Sequence, residues 1–171
     1  MKPLASDEKT ALVMIYTQNS LVRGEIIVKI SLRVNIWLRT QAVPNYIHLH
    51  KPQVVSFGGA APRTSSFSEL YLPTAQVLGF HLAPPADEPL DYEASETNRM
   101  MQPLEVLIGA FLIKGKIRIS TMTDIATSLD VTRATWMSVY DAEISNPFLP
   151  QFNVQVPMLL VNPSQVSFGL V

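Results

Sequence analysis

Apolar and polar residues alternate in short runs along most of this chain, with the two-residue period of half-buried β-strands. From Ala11 the run ALVMIYT is followed by the polar pair Gln18 and Asn19 and then by LVRGEIIVKI, which is the pattern of a hairpin. Gly24 inside the second run predicts a bend or bulge, because glycine weakens a strand unless the backbone must curve or be closely approached. Val34, Ile36 and Leu38 alternate with Asn35, Trp37 and Arg39, which predicts a third strand. After Pro44, Ile47 and Leu49 oppose Tyr46, His48 and His50, and the phrase KPQVVSFG at 51–58 closes the region. Such a series of short strands reads as a small barrel or half-sandwich.

A Gly, Pro and Ser loop follows at 58–66, and ELYLPTAQVLGFHL then supplies one or two strands. Their partner is open: they extend the first sheet or bridge to the second half. Residues 83–103, APPADEPLDYEASETNRMMQP, are acidic and proline-rich and read as a connector, with a short helix over 95–101 capped by Ser95 and stopped by Pro103. Beyond it, Ile113, Gly115, Ile117 and Ile119 alternate with Lys114, Lys116 and Arg118, a strand with one apolar and one basic face. A helical turn at 124–129, a strand ATWMSVYDAEI, a loop NPFLPQFN and a strand VPMLLV lead to a second phrase, NPSQVSFG at 162–169.

The two phrases share Pro, Val, Ser, Phe and Gly in register, and LVRGEI at 21–26 is echoed by LIKGKI at 112–117. The expectation is an all-β chain of two tandem five-stranded small β-barrel modules of Sm-like or SH3-like architecture. They span 9–82 and 104–171 and are joined by the acidic, proline-rich connector 83–103. Each phrase is read as a closing strand anchored by Phe57 or Phe168.

With 47% apolar and 16% charged residues among 171, the chain has the material for a core and does not look disordered. A net charge of −1 argues against wholesale binding of nucleic acid or acidic membranes, but the charge is uneven. Within 9–82 the bases Lys9, Arg23, Lys29, Arg33, Arg39, Lys51 and Arg63 face only Glu25 and Glu69, and the connector then brings Asp87, Glu88, Asp91, Glu93 and Glu96. Such a pair of stretches either neutralises itself or recruits a polyanion. The absence of cysteine excludes disulfides, thiolate metal sites and cysteine nucleophiles, and fits a reducing compartment. The start MKPLASDEKT lacks the apolar core of a signal peptide, and the apolar run at 104–113 is shorter than the roughly 20 residues of a membrane-spanning helix. A cytoplasmic protein without a membrane partner is expected.

IKGKIRIS, YDAEI and VPMLLVNPSQVSF resemble a family of uncharacterised bacterial small β-barrel domains, in which an apolar-Gly-apolar strand pair precedes an Asp-Ala step and a final strand. The resemblance implies a fold and no activity. A remoter likeness is to the Sm-like RNA-binding barrels, where RGEIIVKISLRVN would offer Asn35 at an RNA-facing turn.

His48 and His50 have the spacing of metal ligands on one strand face, with no acidic residue near in sequence to complete a site. They read as solvent-facing, and His81 is the remaining histidine. Arg23, Lys29, Asn35, Lys114, Lys116 and Arg118 would line an anion or nucleic-acid surface, with Trp37 or Tyr46 stacking on bases; otherwise the cations form an ordinary solvated face. Trp136, Ser138 and Tyr140 share a face as packing or as a ligand wall, and Asp141 reads as a turn residue. No nucleophile elbow, phosphate-cradling loop or zinc-protease helix is legible. The expected role is a non-enzymatic interaction or scaffold protein without a cofactor, working as a homo-oligomer or with a protein partner. The alternative is an Sm-like nucleic-acid binder, and an enzyme with a small-molecule pocket between the modules ranks third, to be raised by a well-formed apolar cavity near Trp136.

Overall fold

The structure, a computed structural model, describes residues 3–41 and 43–170. The first hairpin forms as the alternation predicts, from β1 (Glu8–Tyr16) and β2 (Ser20–Lys29), paired from Glu8↔Lys29 to Tyr16↔Leu21. Then come β3 (Tyr46–Ser56), β4 (Arg63–Ser66), β5 (Glu69–Pro73) and β6 (Gly79–Leu82). The second half holds β7 (Arg99–Ile108), β8 (Phe111–Ser120), α1 (Ile125–Val131), β9 (Met137–Ser145), β10 (Asn153–Val161) and β11 (Ser167–Gly169). The helical turn predicted at 124–129 is α1, whose first turn is capped by the Asp124 carboxylate accepting from the Thr127 N–H at 2.7 Å. Among the described residues no helix is long and apolar enough to cross a membrane.

The all-β expectation is met, but two closed five-stranded barrels are not what forms. The strands make one open antiparallel sheet of eleven, in the order β11-β7-β8-β9-β10-β6-β1-β2-β3-β4, with β5 also on β3. The reason lies in β1, β6 and β10. Val13 and Ile15 enter one core with Phe80 and Leu160, while Met14 and Tyr16 enter another with Leu159 and Val161. A barrel wall needs a wet outer face, whereas these strands are apolar on successive residues and bury both faces. They form the shared middle of the molecule, with one core on each face of it. Pairs Leu160↔Phe80 and Val161↔Gly79 join the halves at that middle.

Each half carries one bulge, and the bulges account for the LVRGEI and LIKGKI echo. Between β2 and β3 the register runs Arg23↔Gln53 and then Glu25↔His50, so Lys51 and Pro52 together oppose Gly24. Between β8 and β9 it runs Lys114↔Glu143 and then Lys116↔Tyr140, so Asp141 and Ala142 oppose Gly115. Lys51 and Asp141 take matching left-handed conformations, with φ of 47° and 49°. A Cβ on Gly115 would lie 2.6 Å from Val139 Cγ1 and 3.0 Å from the Tyr140 carbonyl oxygen. On Gly24 it would lie 3.1 Å from Leu49 Cδ2 and Pro52 Cβ. The glycines therefore make room for the bulged partner strand. In space, Lys51 and Pro52 correspond to Asp141 and Ala142.

The paired phrases consequently do not occupy matching places. KPQVVS lies in β3 between β2 and β4, whereas residues 162–169 turn into β11, which pairs with β7 through Phe168↔Val106. Two further expectations are corrected. Residues Val34–Arg39 form a 3₁₀ helix, not a strand: Val34, Asn35, Trp37 and Leu38 turn inward and cover the core of Val13, Ile15 and Phe80, and the Glu88 carboxylate accepts from the Val34 and Asn35 N–H groups at 3.0 and 2.9 Å. The helix expected over 95–101 is absent; turns lead into β7, which begins at Arg99 inside the stretch read as connector and pairs with β8 from Arg99↔Ser120 onward.

His81 on β6 is buried and fully engaged. Its Nδ1–H donates to the Leu82 carbonyl at 2.6 Å, and its Nε2 accepts from the Tyr16 hydroxyl at 2.8 Å. Burial lowers its pKa to about 4, against an upward pull from the Leu82 carbonyl.

Gly115→Ala is expected to destabilise by about 1–3 kcal/mol through overpacking and to lower Tm by several degrees, with Gly24→Ala losing less. Calorimetry showing an unchanged Tm for Gly115→Ala would count against the bulge explanation. The neutral His81 sets a pH window. The unfolded chain protonates near pH 6.5 and the folded one only near 4, so this contribution is complete above 6.5 and is lost as pH falls toward 4. Urea titrations should show a loss of about 3 kcal/mol across that interval, flattened in His81→Gln.

Candidate functional site

The predicted basic surface does not assemble. Arg23 and Lys29 lie on the β2 face that continues Leu21 and, across the hairpin, Met14 and Tyr16. Lys114, Lys116 and Arg118 lie on the opposite sheet face, that of Tyr140 and Ser138. Four strands, β9, β10, β6 and β1, separate the two sets. Several of these cations are also paired within the chain. Lys29 Nζ donates to Asp7 at 2.7 Å, Lys116 Nζ donates to Asp141 at 2.9 Å, and Arg118 donates to Glu96 at 2.8 Å. Asn35 is only 6% exposed, and its amide donates to the Pro89 carbonyl at 3.0 Å, so it faces the connector rather than solvent. Part of the charge is thus matched within the chain.

The connector supplies further partners of this kind. Glu88 holds the 3₁₀ helix and lies 3.8 Å from Lys9. Arg33 donates to the carbonyls of Pro89 and Leu90. Asp91 accepts from the Arg39 guanidinium, from Ser138 Oγ at 2.8 Å and from the Tyr140 hydroxyl at 2.7 Å, so one carboxylate ties the 3₁₀ helix of the first half to β9 of the second. Burial pushes the Asp91 carboxyl upward, but the bonds from Tyr140, Ser138 and Arg39 outweigh it and hold its pKa below the ordinary value. The Tyr140 hydroxyl is pushed up by burial and by Asp91. Tyr92 packs edge-on against Tyr140 at 4.9 Å, and the Arg118 guanidinium sits 4.5 Å above the Tyr92 ring.

Beside this network, between α1 and the strands β8 and β9, lies an open cleft of about 340 Å³ lined by Ile117, Ile119, Trp136, Met137 and Tyr140 among others. Arg39, Arg99 and Arg118 also border it, and two of the three are already engaged by the connector. Its size would admit a small ligand, but its cations are largely spent on internal partners.

A different constellation gathers on the outer face of β3 and β5. The sheet pairs His48 with Tyr71 and His50 with Glu69, so strand pairing brings in an acid that lies far away in sequence. The His48 ring donates to the Glu69 carboxylate at 3.2 Å, and the Tyr71 hydroxyl donates to the same oxygen at 3.3 Å. His48 stacks on Tyr71 with ring centroids 4.3 Å apart, and His50 lies 4.2 Å from His48. The bond from His48 holds the Glu69 carboxyl below its ordinary range, against burial and with help from Tyr71. His50 is only 8% exposed, contrary to the expectation of a solvent-facing residue. Periodicity alone finds the two histidines; the glutamate is visible only once β5 has been placed beside β3.

Comparison with known protein families, with curated proteins and with solved structures returned no match to this chain. Its function is therefore argued from its own geometry.

Asp91→Ala is expected to cost about 2–3 kcal/mol, since it leaves Arg39, Ser138 and Tyr140 without their shared acceptor. Chemical denaturation would register the loss, and a change under half of 1 kcal/mol would show that the connector does not tie the halves together.

Proposed function

We propose that this protein is a non-enzymatic interaction protein, built from one hairpin-and-bulge unit used twice, that self-associates through the free edge of its sheet. The observation that carries this reading is the unpaired outer side of β5. The sheet does not close, and among the described residues β5 has β3 on one side only. The Thr74 N–H bonds to the Asn45 carbonyl and the Ser68 carbonyl accepts from the Lys51 N–H, so the even-numbered residues of this stretch turn their backbone toward β3. Glu69, Tyr71 and Pro73 turn theirs outward.

Proline on the outward side blunts one end of the edge, because it offers no donor there. A short window centred on Tyr71 remains. An antiparallel approach by a second copy would let the two Tyr71 residues exchange both backbone hydrogen bonds, and each Glu69 N–H would meet the Pro73 carbonyl of the other copy. Tyr46 and Tyr71, 56% and 58% exposed on the flanking face, supply apolar area next to the seam. Such a contact is isologous and closes on itself as a dimer rather than growing into a filament.

Tyr71→Pro tests the proposal cleanly, since it removes an outward donor and no bond to β3. Light scattering after size exclusion should give a dimer mass for the native chain and a monomer mass for Tyr71→Pro, with the same circular dichroism. A native chain that stays monomeric at high concentration, or a variant that still dimerises, overturns it.

A further inference from the structure

The geometry points to a divalent transition-metal site, zinc by preference, held by His48, His50 and Glu69 on the outer face of β3 and β5. The inference does not depend on self-association, because it uses side chains on the sheet face rather than the free backbone edge.

Three observations converge. The first is distance: one donor atom from each of the three residues lies within 4.8 Å of the other two. A tetrahedral zinc ion with bonds of about 2.1 Å holds its ligand atoms about 3.4 Å apart, so small side-chain rotations close the set. The His48 and Glu69 atoms, 3.2 Å apart across a shared proton, are already near that separation. An ion bound at Nε2 would displace this proton, and the metal-bound ring would carry its single N–H on Nδ1.

The second observation concerns His50. It is more than nine-tenths buried, its ring packs beside that of His48, and among the described residues it makes no side-chain hydrogen bond. Its ring nitrogens are not sealed from solvent, and they lie close to another imidazole and a carboxylate, so they are free to ligate a metal. The other two histidines each have a bonded partner: His48 has Glu69, and His81 has Leu82 and Tyr16.

The third is support around the ligands. Tyr71 stacks on His48 and donates to Glu69, which orients both. Glu25 stands across β2 from His50 at the edge of the bulge, so a second carboxylate shares this face beyond the histidine. Two neutral imidazoles and one carboxylate suit zinc and its transition-metal neighbours, whereas magnesium and calcium prefer oxygen-rich cages. Three protein ligands leave a further coordination position toward solvent.

The full chain, treated with chelator and then titrated with Zn²⁺, provides the test, with imidazole resonances followed by NMR. His48 and His50 signals are expected to move and saturate at one equivalent, while His81, engaged on both ring nitrogens, stays in place as an internal reference. Mg²⁺ should move none of them. Glu69→Gln, an exposed and nearly isosteric change, should weaken zinc binding roughly tenfold or more while leaving the fold intact. Unmoved His48 and His50 signals at excess Zn²⁺ overturn the assignment, as does native-like affinity in Glu69→Gln.

Discussion

The structure depends on three central strands that bury both faces. β1, β6 and β10 place alternate residues in opposite cores, so neither half has a core of its own that is complete without them. Val13 and Ile15 look one way, Met14 and Tyr16 the other, and the same division runs through Leu160 and Leu159. Burying an apolar side chain contributes about 1.5–3 kcal/mol, and here one stretch of backbone serves two cores. The arrangement sets the overall architecture: one continuous open sheet with a core on each face of its middle, rather than two closed rings.

Around that middle, the acidic stretch after β6 acts as a strap. Its residues Glu88, Asp91, Tyr92 and Glu96 reach bases and hydroxyls on the 3₁₀ helix, β8 and β9. Flexible connectors are solvated, but this one has found specific partners, and in doing so it consumes charge that a polyanion would otherwise have met. Part of the charge imbalance along the sequence is thus matched internally, Lys9 by Glu88 and Arg39 by Asp91.

Much of the local structure was legible in the sequence. Two-residue periods located β3 and β8, Val, Ile and Tyr enrichment located the β1–β2 hairpin, and Gly24 marked a bulge; the matching bulge opposite Gly115 emerged only from the register. Three things were hidden for physical reasons. RVNIWLRT alternates like a strand, yet Glu88, distant in sequence, stabilises its first N–H groups as a 3₁₀ helix. The runs ALVMIY and MLLV carried the signature of strands buried on both faces, and treating them as barrel walls missed it. The histidine cluster needed Glu69, which depends on strand order rather than spacing. The likeness between KPQVVSFG and NPSQVSFG misled about register: the position equivalent to Lys51 is Asp141, and they share a backbone conformation rather than a residue type.

The Tyr16 and His81 bond has a consequence for assembly of the sheet. β6 is short and pairs only briefly with β10, so its alignment is weakly fixed by ladder bonds alone. A slip of one residue would turn Phe80 and His81 each to the wrong core, and would strand an imidazole and a phenol in apolar surroundings without partners. This buried Tyr16–His81 bond therefore serves as a register key. It admits one docking of the strand that joins the two halves and penalises its neighbours.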